Sequence, residues 1–155
     1  MITQPLEIDL DLSGVSTAQP LIRHGHVGRV RLADISGVKN DSNQTVALKW
    51  EFRLVEPAPA QDAEGSPLPD VNANYPIFVR INLGQDFLLV KQAKFMDALL
   101  GTGDKNNTKG KPDRPNLNAA VVASMVGREA IARVSVSHGK TGYVGNDIDK
   151  LEALA

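Results

Sequence analysis

Residues 45–55, TVALKWEFRLV, form the clearest period-two stretch of the chain. Val46, Leu48, Trp50, Phe52 and Leu54 fall on one parity, and Lys49, Glu51 and Arg53 on the other. Successive side chains of a strand point to opposite faces, so this segment is a strand with one apolar face and one charged face. An apolar face of that size must be covered, which demands a sheet folded over a hydrophobic core. Trp50 and Phe52 share the core parity and therefore read as core residues rather than a ligand platform.

The flanking blocks follow the same logic, cut into short lengths by 13 glycines and 9 prolines. Residues 27–35 (VGRVRLADI) place Val30 and Leu32 on one face and Arg29 and Arg31 on the other. Residues 76–83 (PIFVRINL) place Ile77, Val79, Ile81 and Leu83 inward, leaving Phe78, Arg80 and Asn82 outward. An outward Phe beside an Arg is either packed under a loop or offered to a ligand. In residues 87–100 the period changes: Leu88, Phe95 and Leu99 recur at helical spacing, as do Leu89, Ala93, Met96 and Leu100. Asp86 is the expected cap of that helix and Gly101 its terminator. A short helix at 119–126 starts at Asn118 and stops at Gly127. Strands near 129–137 and 143–151 complete the chain, joined by the turn at 138–142.

Three strands, a helix, a polar loop and two strands are the order of an OB-fold. The expected class is all-β with an inserted helix: a five-stranded Greek-key β-barrel with a helix between strands 3 and 4. Other small barrels and sandwiches share much of this pattern. The expected domain plan is an N-terminal acidic arm over 1–22 and an OB-fold domain over 23–155, with loops at 56–75 and 101–117. The arm alternates Leu6, Ile8, Leu10 and Leu12 with Glu7, Asp9 and Asp11, as a strand of its own or as an arm that pairs with a neighbour. Residues 57–74 are rich in Pro, Ala, Asp and Gly without a basic residue, which reads as a long, mobile, acidic loop.

Length and composition exclude several function classes. A chain of 155 residues is one domain, long enough to bury a core unaided. Without cysteine there is no disulfide scaffold, thiol catalysis or cysteine-ligated metal. No run approaches the roughly 20 apolar residues of a membrane span. Glu7, Asp9 and Asp11 stand where a secretory leader would be basic and apolar, so an intracellular compartment is expected. The glycine–lysine loop at 101–111 is no phosphate-binding Walker loop, because six residues separate Gly103 from Gly110 and Pro112 follows Lys111. It fails equally as a dinucleotide fingerprint, with Asn106 at the third glycine position, and as a calcium loop, with Lys109 and Pro115 at key places. His24 and His26 lack a third ligand and read as a surface pair. No catalytic constellation, metal site or cofactor site is expected, and the chain is not expected to be an enzyme.

Charge placement is more informative than the net charge of -1. Residues 1–20 carry three acids and no base, and residues 54–79 four acids and no base. Residues 23–53 hold six basic against three acidic residues, and residues 80–140 ten against five. Neutrality overall thus conceals basic strands beside acidic arms. Lys105, Lys109, Lys111 and Arg114 share one polar stretch, as followers of a phosphate backbone or as an ordinary solvated loop. The outward parities of the second and third strands add Lys49, Arg53, Phe78, Arg80 and Asn82, on the face where OB-folds bind oligonucleotides. Tyr75 and Tyr143 at strand ends are further candidates for stacking on bases.

The segments VGRVRLADI, ALKWEFRLVEP, FMDALLGTGD, MVGREAIARVSV and GYVGNDIDKL together cover most of 27–151. In these the chain resembles bacteriophage OB-fold proteins, many of unknown function, associated with single-stranded DNA binding in replication and recombination. In that group a Val-Gly-Lys/Arg step introduces the fourth strand and an Asn-Asp/Glu-Ile step lies in the last. Here they are Val126-Gly127-Arg128 and Asn146-Asp147-Ile148. The resemblance implies non-sequence-specific single-stranded DNA binding in the cytoplasm of an infected bacterial host, without catalysis. On that expectation Arg29, Arg31, Lys49, Arg53, Arg80, Lys105, Lys109, Lys111 and Arg114 contact phosphates, and Phe78 and Tyr143 stack on bases. The alternative is a virion structural protein, a capsid decoration or cement protein on the same small barrel, with phage capsid proteins as partners. Either way a homo-oligomer joined through the N-terminal arm is expected.

Overall fold

The strand expected at 45–55 is β3, Thr45–Leu54, and it lies inside the main sheet with a partner on each side. The computed structural model describes residues 9–13, 19–102, 114–139 and 142–154. Trp50 and Phe52 are fully buried, as expected from their parity. Before β3 come β1 (Leu21–Ile22) and β2 (Val27–Lys39). After it come β4 (Ala58–Gln61), β5 (Pro67–Val71) and β6 (Pro76–Asn82). Helix α1 (Asp86–Leu100) and helix α2 (Ala119–Met125) precede β7 (Glu129–His138) and β8 (Val144–Ala153).

Five strands form one antiparallel sheet in the order β6-β3-β2-β7-β8, and β1-β4-β5 form a second. β2 is long enough to serve two partners. Val27–Arg31 pair with β7, and Val30–Lys39 pair with β3. A break of register at Leu32/Asp34, just past the stretch paired with β7, lets it bend between them. The edge strands β6 and β8 touch each other, yet no ladder joins them. The hydrogen-bonded barrel expected from the sequence is therefore not closed. α1 contacts both edge strands and sends Phe95, Met96 and Leu99 into the core. There Phe95 meets Trp50 and Phe52 edge-on, at centroid distances of 5.4 and 5.7 Å. The indole Nε1–H of Trp50 donates to Gln92 Oε1 at 3.0 Å, so this buried polar pair is satisfied.

Several expectations change. The acidic stretch 57–74 is not a structureless loop, because it folds back as the β4–β5 hairpin. Ala58 and Ala60 are fully buried there, and prolines 67 and 69 are tolerated because β5 is an edge strand. The Asp62 carboxylate shapes the turn by accepting from the amides of Glu64 and Ser66 at 3.0 and 2.8 Å. Leu21 and Ile22, the end of the expected arm, are buried in β1. The cap of α1 is Gln85 rather than Asp86, and its side chain makes no capping bond. Asn118 does cap α2, accepting from the amide of Val121 at 3.0 Å.

The two motif steps act structurally. Gly127 adopts φ +90°, a left-handed conformation that favours glycine, and its N–H donates to Leu32 O. Asn146 joins the two sheets. Its Oδ1 accepts from Ile22 N at 2.8 Å, and its Nδ2 donates to Ile22 O at 2.9 Å. His24 is also structural, with Nδ1 accepting from Val136 N at 3.0 Å.

Candidate functional site

The charged parity of β3 and the outward parity of β6 form one surface, and the ladder fixes which residues meet on it. Lys49 stands directly opposite Arg80, Glu51 opposite Phe78, and Arg53 opposite Pro76. On the other side of β3, Ser36, Asp34 and Arg31 of β2 pair with Lys49, Glu51 and Arg53. The inward alternation of Ile77, Val79 and Ile81, all buried, holds Phe78 outward. Phe78 is 48% exposed, and the Lys49 ammonium sits over its ring at 5.2 Å from the centroid.

The expected cations divide into two groups. Arg29 hydrogen-bonds Glu129 at 2.5 Å and has Glu56 at 3.9 Å, and the Glu129 bond holds its guanidinium pKa above the usual arginine value. Arg53 is bound to Glu51 at 2.8 Å. Arg114 places two guanidinium nitrogens on Asp97, at 2.8 and 2.6 Å. These three have their charge matched by a carboxylate. Lys49, Arg80 and Arg31 have no ion pair with a described residue. Lys105, Lys109 and Lys111 lie outside the described residues.

Sequence reasoning missed the residue that organises the arginines. Asn74 sits in the turn before β6 at φ +71° and accepts from Arg31 Nη2 through Oδ1 at 2.8 Å. Its carbonyl accepts from Arg53 Nη1 at 3.1 Å. The local signal was present, since asparagine is among the few non-glycine residues that tolerate this backbone region.

Beside Phe78 a groove of about 930 Å³ opens between the two sheets. Phe78, Tyr75 and Tyr143 all line it, so the three aromatics singled out from sequence come together. Tyr143 is 70% exposed. Tyr75 is half-buried at the base, where its hydroxyl donates to the Pro20 carbonyl and burial pushes its pKa up. The Tyr143 ring lies across Gly145. A Cβ at that position would stand 2.6 Å from the Tyr143 hydroxyl. Asp62 and Glu64, from the unforeseen hairpin, also line the groove. The surface thus has a cationic strand face, a ring at its border, and an aromatic groove with carboxylates on its wall. Among the described residues no group of His, Asp or Glu is arranged to hold a metal ion. No helix of the described residues is long and apolar enough to cross a membrane. Compared with protein-family models and with curated proteins, the chain matches none.

Proposed function

We propose that this chain binds single-stranded DNA without sequence preference, as a non-enzymatic coating protein of phage replication or recombination. The observation that carries this reading is the cross-strand pair Lys49–Arg80 beside the exposed Phe78. Like charges placed directly opposite each other are destabilising in the free protein, and a phosphate between them relieves that repulsion. Phe78 next to such a phosphate offers its face to an unpaired base, and Tyr143 across the groove offers a second. Arg31, fixed by Asn74, continues the cationic line along β2. Duplex DNA keeps its bases stacked inside, so an aromatic platform favours single strands.

The OB-fold reading is part of the proposal. What supports it is the order β6-β3-β2-β7-β8, with α1 between β6 and β7, the third and fourth strands of that sheet in chain order, and contact between β6 and β8. OB-folds bind oligonucleotides on the corresponding strands. The motif-level resemblance supports the phage setting, with the host cytoplasm as the place of action.

Fluorescence anisotropy with labelled single- and double-stranded oligonucleotides tests the proposal across a range of salt. The expected result is preferential single-strand binding at low salt that weakens as salt rises. Phe78→Ala is expected to weaken binding about 5- to 150-fold, the effect of losing roughly 1–3 kcal/mol of base stacking.

A further inference from the structure

A second groove, of about 920 Å³, lies between α1 and β8, away from the aromatic surface. Its helical wall carries Phe87, Val90, Lys91 and Lys94, spaced three, four and seven residues from the first, and so on one stripe of α1. Phe87 is 68% exposed, and Val90 is exposed with it. The opposite wall is the consecutive run 149–153 of β8. A strand that lines a groove with consecutive residues of both parities presents its edge there rather than one face. β8 has a ladder partner, β7, on one side only. An unpaired edge beside an apolar helix stripe is a template for an added strand.

The chain itself contains a segment that fits. Residues 6–12 alternate Leu6, Ile8, Leu10 and Leu12 with Glu7, Asp9 and Asp11. Leu10 and Leu12 remain 66% and 60% exposed within one copy, so their own body does not bury them. The groove has an apolar floor and is lined by Lys91, Lys94 and Lys150 together with Asp97, Asp149 and Glu152. All of these charges but Lys94 are held in ion pairs, so Lys94 is the lining charge left to meet the acidic face of an apolar-and-acidic strand. Lys94 in that groove has no ion pair with a described residue. We propose that the arm of one copy adds as a strand to the β8 edge of a second copy, with its leucines against Phe87 and Val90. Such a contact joins two different surfaces, so copies associate head to tail.

Light scattering on the full chain without DNA tests this independently of nucleic-acid binding. Wild type is expected to reach at least twice the monomer mass as concentration rises. An arm variant (Leu10→Asp with Leu12→Asp) and a groove variant (Phe87→Asp with Val90→Asp) are each expected to stay monomeric. All four positions are exposed, and circular dichroism with thermal melting checks that both variants fold. Mixed together, the two variants are expected to form a dimer, because one keeps an intact groove and the other an intact arm. Four outcomes overturn the proposal: monomeric wild type at every concentration, association that survives the arm substitutions, association that survives the groove substitutions, or failure of the folded variants to recombine.

Discussion

Lys49 and Arg80 face each other across a ladder with no ion pair to a described carboxylate, whereas Arg53, four residues along β3 on the same parity as Lys49, is matched by Glu51. On the proposed reading, this difference separates residues held for a ligand from residues that complete the fold. Reversing both charges (Lys49→Glu with Arg80→Glu) is expected to abolish tight binding while leaving the melting temperature nearly unchanged. Neutralising both is expected to reduce the salt slope by about 0.7, the contribution of the one single-strand phosphate they share. Gly145→Ala provides a subtler probe. The added methyl meets the Tyr143 ring first and displaces it, and binding is expected to weaken while stability holds. Asn146→Ala has the opposite signature. It removes both side-chain bonds to the Ile22 backbone and is expected to cost about 1–3 kcal/mol in chemical denaturation, because buried peptide groups lose their partners.

At the scale of elements, β6 was legible because its side chains alternate strictly, β3 because its own alternate from Lys49 to Leu54, and α1 because its core residues recur at helical spacing. The β4–β5 hairpin was not, because alanine and proline carry little strand signal. Its buried alanines are visible only once the core they touch is known. The same limit hid the acidic wall of the groove, Asp62 and Glu64, which the hairpin brings to Phe78. The polar cores of elements follow simpler rules. Gln92→Leu is expected to leave the Trp50 indole N–H unpaired and to cost about 1–3 kcal/mol, with a shift in tryptophan emission. Asp97, on α1, gives a pH signature. Burial pushes its pKa up, but hydrogen bonds from Arg114 and Thr102 hold it below the usual carboxylate value. A depressed folded pKa stabilises above the unfolded value of about 3.9, and that contribution is lost as pH falls through the folded value. Asp97→Asn is therefore expected to be less stable at neutral pH and to lose stability less steeply below about pH 4, as measured by melting across pH.

For the whole molecule, charge sorting by segment explains how a chain of net charge -1 presents a cationic strand surface. The acids of 54–79 belong largely to the hairpin and its turns, and those of 1–20 to the arm. If copies associate head to tail through that arm, coating of a strand becomes cooperative. The arm variant is then expected to bind short oligonucleotides as wild type does, yet to lose cooperativity on long ones. The most direct measurement of the central claim is anisotropy titration of one labelled single-stranded oligonucleotide and its duplex with the wild-type chain and Lys49→Glu/Arg80→Glu. The account predicts salt-sensitive binding by wild type that favours the single strand and is lost in the double variant. Equal affinity of both proteins for the single strand, or no binding by wild type at low salt, would contradict it.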